Sequence, residues 1–191
     1  MIDADACADP ILVSLDDVVS EMEMQSNEST AYLNRRTAEL ITISEEEMRL
    51  AEDQEGLTED ERKGKEEWER LPDWQAKMLP KVREVLGSDD FLPLPSRFDI
   101  HEWAIMERFS LEVEDEAVRE ALLDAIHGSG AFRRFKDAVH RYGIADAWYR
   151  YRDAALEAIA VDWLEANGIP YRRGRAASSD ERAGEVTPPA L

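Results

Sequence analysis

Four times along this chain a Ser, Thr or Asp stands three residues ahead of an Asp or Glu, just before apolar residues at helical spacing. The pairs are Ser14 with Asp17, Ser44 with Glu47, Thr58 with Glu61, and Asp99 with Glu102. In such a capping box the first side chain accepts from the backbone N–H three residues on, and the acidic side chain reaches back to the cap's own N–H. Both bonds satisfy donors that a helix start otherwise leaves bare. Glycines at positions 87, 128, 143 and 168 supply the stops, because glycine takes the left-handed backbone that closes many helices. A chain punctuated in this way folds as a series of separate helices.

Apolar periodicity says where they run. Leu15, Val18, Val19 and Met22 predict a helix at about 15–24. A short acidic helix follows Ser44, and a charged one runs from Thr58 to near Leu71. Asp73 caps the next, through Trp74, Met78, Val82 and Val85, with Pro80 inside as a kink or a break. Trp103, Ile105, Met106 and Phe109 form the buried face of another, and residues 115–127 one more. Ala131 to Tyr142 is helical with Phe132, Phe135 and Val139 inward. The longest helix spans about Asp146 to Asn167, with Trp148, Tyr151, Leu156, Ile159, Trp163 and Leu164 on its stripe.

Two short stretches read as strand: Ala31-Tyr32-Leu33 and Glu39-Leu40-Ile41-Thr42-Ile43, joined as a hairpin through Asn34 to Thr37. Phe91 to Pro95 is extended, since residues before proline avoid the α region. The fold class is therefore mainly α, or α+β by strict counting: six or seven helices with a small N-terminal hairpin or sheet. One domain spans 14–173, with a loose 1–13 and a disordered tail over 174–191.

Charge divides the chain. Residues 1–127 hold 13 Lys+Arg against 34 Asp+Glu, whereas residues 128–175 hold 9 against 6. With a net charge of -20, most of the surface repels nucleic acid and anionic membrane. Nucleic acid is an unlikely partner, because so small a basic excess cannot track many phosphates. The lone cysteine, Cys7, excludes an internal disulfide and a cysteine-based zinc site. No apolar run is long enough to span a bilayer and no secretion signal opens the chain, so the expected location is cytoplasmic.

Whatever binds an anion should therefore bind near residues 128–175, and the candidate there is Gly128 to Lys136, where two glycines precede a helix carrying Arg133, Arg134 and Lys136. Helix starts present free N–H groups and a positive dipole end, and arginine grips phosphate with two parallel bonds. The spacing is neither a Walker loop nor a dinucleotide fingerprint. The structural alternative is that Gly128 closes one helix, Gly130 permits a tight corner, Phe132 and Phe135 are core, and the cations pair with the chain's own carboxylates. Arg141 adds charge further along. Trp148 and Tyr149 are adjacent, so on a helix they point about 100° apart and one of them is expected at the surface.

His101, His127 and His140 lack metal spacing, so no metal site is expected. Carboxylate pairs are too abundant to single out, and no Gly-x-Ser-x-Gly elbow occurs. No catalytic residue and no cofactor is indicated.

The run Gly128-Ser129-Gly130-Ala131-Phe132-Arg133-Arg134-Phe135-Lys136, followed by Trp148-Tyr149, resembles the signature of a bacterial family of small proteins of the uncharacterised (UPF) type. The resemblance also takes in the hairpin, Leu94-Pro95, Met106-Glu107-x-Phe109 and Trp163-Leu164-Glu165, over about residues 14–171. One position departs: Thr37-Ala38-Glu39 stands where the family hairpin usually reads Thr-Gly-Glu. Glycine would permit positive φ there, and alanine makes that turn costlier. The resemblance implies the architecture and brings no activity, cofactor or catalytic residue with it.

The expected function is a non-enzymatic interaction or regulatory module. It presents the 128–152 face, with Gly128, Gly130, Arg133, Arg134, Lys136, Arg141, Trp148 and Tyr149, to a protein partner. The alternative is binding of a phosphorylated small molecule or nucleotide, by an enzyme or a binding protein, at the Gly128–Lys136 helix start.

Overall fold

The computed structural model describes residues 11–55 and 73–174. Ser14 opens α1 (Leu15–Met24) by accepting from the Asp17 N–H at 3.4 Å, and Leu15, Val18 and Met22 bury its inner face. The hairpin forms from β2 (Ser29–Asn34) and β3 (Leu40–Ser44), antiparallel, with Leu33 opposite Leu40 and Ser29 opposite Ser44. Its loop is built by Asn34, whose Oδ1 accepts from the N–H of Arg36 at 2.9 Å and of Thr37 at 3.1 Å. The chain then passes through Ala38 at φ +59°, a left-handed conformation on a residue with a Cβ.

Ser44 caps α2 (Glu45–Glu55) with both bonds of the expected box. Glu47 N–H donates to Ser44 Oγ at 3.2 Å, and Ser44 N–H donates to Glu47 Oε2 at 2.8 Å. The box at Thr58 and Glu61, and the helix expected after it, lie outside the described residues. The next helix, α3 (Asp73–Gly87), passes through Pro80 as one element, with the proline exposed on its outer side. Phe91–Pro93 is β4, antiparallel to the free edge of β2, so the sheet order is β3-β2-β4.

Five elements follow: α4 (Arg97–Ile100), α5 (Glu102–Glu112), α6 (Glu116–Ala125), α7 (Ala131–Arg141) and α8 (Ala145–Ala166). The architecture is mainly α with small sheets. Among the described residues seven helices have ten residues or more, and α4 is a single turn.

Two sequence expectations need correction here. The capping box belongs to Ser96 with Asp99, not to Asp99 with Glu102. Ser96 Oγ accepts from the Asp99 N–H, and Asp99 Oδ2 accepts from the Ser96 N–H at 2.8 Å. His101 then takes φ +49° and starts α5 without a side-chain cap. The N-terminus is also not loose throughout residues 1–13. Val13 and Ser14 form β1, parallel to β5 (Tyr171–Arg172), and Val13 is buried. Ser14 Oγ donates to Gly174 O at 3.0 Å, tying the two ends of the domain together.

Residues on opposite faces of β2 serve two cores, as strand alternation requires. Ala31 and Leu33 join the larger core with Leu15, Met22, Ile105, Met106, Leu122, Phe135, Trp148, Leu156 and Leu164. Tyr32 packs on the smaller one, where Ile43 and Phe91 meet Ala51 of α2 and Leu79, Val82 and Val85 of α3. The larger core centres on aromatic contacts. The ring of Phe135 lies 6.3 Å from Phe109 and 4.7 Å from Trp148, edge to face in both cases. Edge-to-face pairs contribute about 0.5–1.5 kcal/mol beyond the area they bury.

Candidate functional site

The corner between α6 and α7 carries the glycine-rich run. Gly128 has φ +75° and Gly130 φ +76°, both in the left-handed region where a Cβ is strained. Two such residues so close together let the chain leave α6 and start α7 within five residues. The turn leaves the last carbonyls of α6 without helical partners.

Arg134 supplies them. Its Nε donates to Ala125 O at 3.3 Å, its Nη1 to Ser129 O and its Nη2 to His127 O. Trp103 Nε1 adds a bond to Ile126 O at 3.0 Å. A cation at a helix C-terminus also meets the negative end of the helix dipole. The Arg134 guanidinium is therefore a clamp on the corner, and its donors are turned toward the protein's own carbonyls.

Its neighbour differs. Arg133, Lys136 and Arg141 are exposed and form no ion pair or side-chain hydrogen bond with any described residue. Elsewhere Arg36, Lys81, Arg97, Arg152 and Arg173 all have carboxylates within reach. Arg133, Lys136 and His140 share the outer face of α7, and Phe132 lies one turn before Lys136 on the same side.

Phe132 is not core, as the sequence suggested, but 45% exposed. Phe135, Ala138 and Val139 fill the buried stripe, and Phe132 stands beyond its edge. Trp103, also expected inside, is 42% exposed. Of the adjacent aromatics, Trp148 is buried at 3% exposure and Tyr149 reaches the surface at 39%. The Tyr149 ring stands 6.4 Å from that of His140, so α8 extends the α7 face.

The candidate residues thus separate into three groups. Gly128, Gly130 and Arg134 build the corner. Trp148 belongs to the core, where its indole N–H has no hydrogen-bond partner among the described residues. Arg133, Lys136 and Tyr149, with the unforeseen Phe132 and His140, share one surface, and Arg141 lies a step round the helix.

Sequence reasoning missed a second charged group. Arg152 on α8 bonds Glu102 of α5 through Nε at 3.0 Å and Nη2 at 2.9 Å, and Glu23 of α1 through Nη1. Burial works against its charge, but the bonds to Glu23 and Glu102 more than offset this, and its pKa lies above the ordinary arginine range. The three residues are far apart in the chain, and no local spacing announces them. No cluster of three or more His, Cys, Asp or Glu suited to a metal occurs among the described residues. None of the described helices is long and apolar enough to cross a membrane.

Residues 79–175 match the Uncharacterised protein family (UPF0158). The chain belongs to this family. The match covers α7, the corner and α8, and leaves out the hairpin. The chain is also similar to a UPF0158 protein of Pseudomonas aeruginosa, at 35% identity over 66 residues. That alignment takes in 34% of this chain and 43% of the relative, less than half of the relative's length. No solved structure matches the chain.

Proposed function

We propose that this chain is a non-enzymatic interaction module whose α7 face docks an acidic segment of a partner protein. The reading is carried by one observation: Arg133 and Lys136 pair with no described residue and stand beside the exposed Phe132 on a chain of net charge -20. Excess carboxylate is available throughout this protein, yet none engages these cations among the described residues.

The global charge does not forbid an acidic partner. At physiological ionic strength charges are screened over about 8 Å, so a docking segment senses the local face and not the distant acidic surface. Phe132 and Tyr149 supply apolar area next to the cations, a combination typical of residues that dominate binding energy.

The competing reading places a phosphorylated small molecule at the start of α7. In its favour, Gly130 offers no side-chain cap, so the first N–H groups of α7 are not taken up by a cap side chain. Against it, three of the five Arg134 N–H groups are already given to backbone carbonyls of the corner.

Affinity capture from the source organism with wild-type chain and with the Arg133→Ala/Lys136→Ala double variant tests the proposal. The double variant should lose a specific partner while its stability stays within about 0.5 kcal/mol of wild type. Capture should also weaken at high salt. Undiminished recovery by the double variant overturns the reading. A thermal shift with nucleotides or sugar phosphates that survives in the double variant would instead favour the helix start.

A further inference from the structure

A separate pocket lies where the end of α1, α4, the start of α5 and the middle of α8 meet. It is open and encloses about 150 Å³. Met22, Ile100 and Leu156, all buried, form its apolar wall. Glu23, Glu102, Arg97 and Arg152, with the Gln25 amide beside them, form the polar one.

These four charges are not equally engaged. Arg152 is engaged through all three of its nitrogens, bonding Glu102 Oε1 through Nε and Nη2 and Glu23 Oε1 through Nη1. Arg97 is not: its Nη2 stands 3.9 Å from Glu102 Oε2, and its side chain is 54% exposed. Each glutamate keeps a second oxygen. Glu23 Oε2 has no ion pair with a described residue, and Glu102 Oε2 has only the long approach of Arg97. Once the internal bonds are counted, the pocket offers acceptors for a cation, a guanidinium for an anion, and an apolar wall.

We propose that this pocket binds a small zwitterion, a free α-amino acid with an apolar side chain. The ammonium meets the spare oxygens of Glu23 and Glu102. The carboxylate meets Arg97, whose planar guanidinium suits a two-oxygen acceptor. The side chain lies against Met22, Ile100 and Leu156. A simple anion would face two carboxylates, and a simple cation would leave Arg97 unused. Size points the same way. The volume lies below the roughly 300–1,000 Å³ of sites that hold larger ligands.

The test uses calorimetry on the full chain with L-leucine, N-acetyl-L-leucine and L-leucinamide, and repeats the leucine titration on Arg97→Ala. Arg97 is exposed, so this variant should keep the wild-type melting temperature in the absence of ligand. L-leucine should bind saturably in the millimolar range or tighter. The N-acetyl form, lacking the cation, and the amide, lacking the anion, should each bind about ten-fold more weakly or worse. Arg97→Ala should weaken leucine binding by a similar factor. Absence of saturable leucine binding, equal binding of either blocked derivative, or unchanged affinity in Arg97→Ala overturns the proposal. None of these outcomes touches the α7 face.

Discussion

Arg133 and Arg134 are neighbours in the chain, but Arg134 clamps the α6–α7 corner while Arg133 bonds no described residue, and the difference can be measured. Replacing Arg134 with Ala removes the bonds to Ala125 O, His127 O and Ser129 O and leaves three carbonyls of the corner to water. A sheltered hydrogen bond to a charged group contributes about 1.5–3 kcal/mol, whereas exposed charge contacts contribute about 0.2–1 kcal/mol. The Arg134 side chain is exposed, so the lower scale applies. Three such bonds then amount to roughly 1.5 kcal/mol, or about 3–6 °C in Tm for a chain of this length. Arg134→Lys should recover less than half, because an ammonium lacks the planar fork that reaches several carbonyls at once. Arg133→Ala should change stability by no more than about 0.5 kcal/mol. Urea unfolding followed by far-UV circular dichroism gives all three values, provided the slope with denaturant is unchanged. An Arg134→Ala variant as stable as wild type, or an Arg133→Ala variant equally destabilised, would refute the division of roles.

Three other outcomes follow from the same structure. Ala38→Gly should stabilise by about 0.5 kcal/mol: relief of the left-handed backbone, about 1–2 kcal/mol, outweighs the added chain entropy and a half-buried methyl; a lower Tm would contradict this. Phe135→Ala should cost about 3–5 kcal/mol and disrupt the packing of Phe109 and Trp148, visible as a shift in tryptophan fluorescence. The Ser96 side chain and N–H hold the Asp99 carboxyl below its ordinary value of 3.8. The resulting stability is fully present above that value and is lost as pH falls through the lowered one. Ser96→Ala should therefore flatten the acid limb of the stability profile below about pH 4, and an unchanged acid limb would count against the cap.

Much of the scaffold was legible because its signals are local. Ser14 and Ser44 cap helices as read, and Leu15 to Met24 is helical. The hairpin pairs Ala31 and Leu33 with the residues around Leu40 to Thr42. Where the reading failed, a rival signal lay close by. Ser96 and Asp99 form the same box as Asp99 and Glu102 would, one turn earlier. Phe132 has the composition of a core residue, but α7 offers the larger core a stripe that Phe135, Ala138 and Val139 already fill.

The candidate surface was half legible. Charge imbalance singled out the stretch that holds the exposed α7 cations, and the Trp148-Tyr149 geometry required one aromatic at the surface. Neither could separate Arg133 from Arg134, since both have the same neighbours in sequence. The direction of each guanidinium depends on where the end of α6 lies.

What the sequence determined by itself is therefore most of the described helices, the caps at Ser14 and Ser44, and the concentration of cations after residue 127. Those properties arise from hydrogen bonds and side-chain spacing within about one helical turn. Only the tertiary structure decided which cations find no partner among the described residues, that β1 meets β5, and that a pocket opens beside Arg152. Each depends on groups brought together from distant parts of the chain, such as Glu23 and Arg152, which are 129 residues apart. Which partners meet is set by how the helices pack, and helix packing is a property of the whole buried surface.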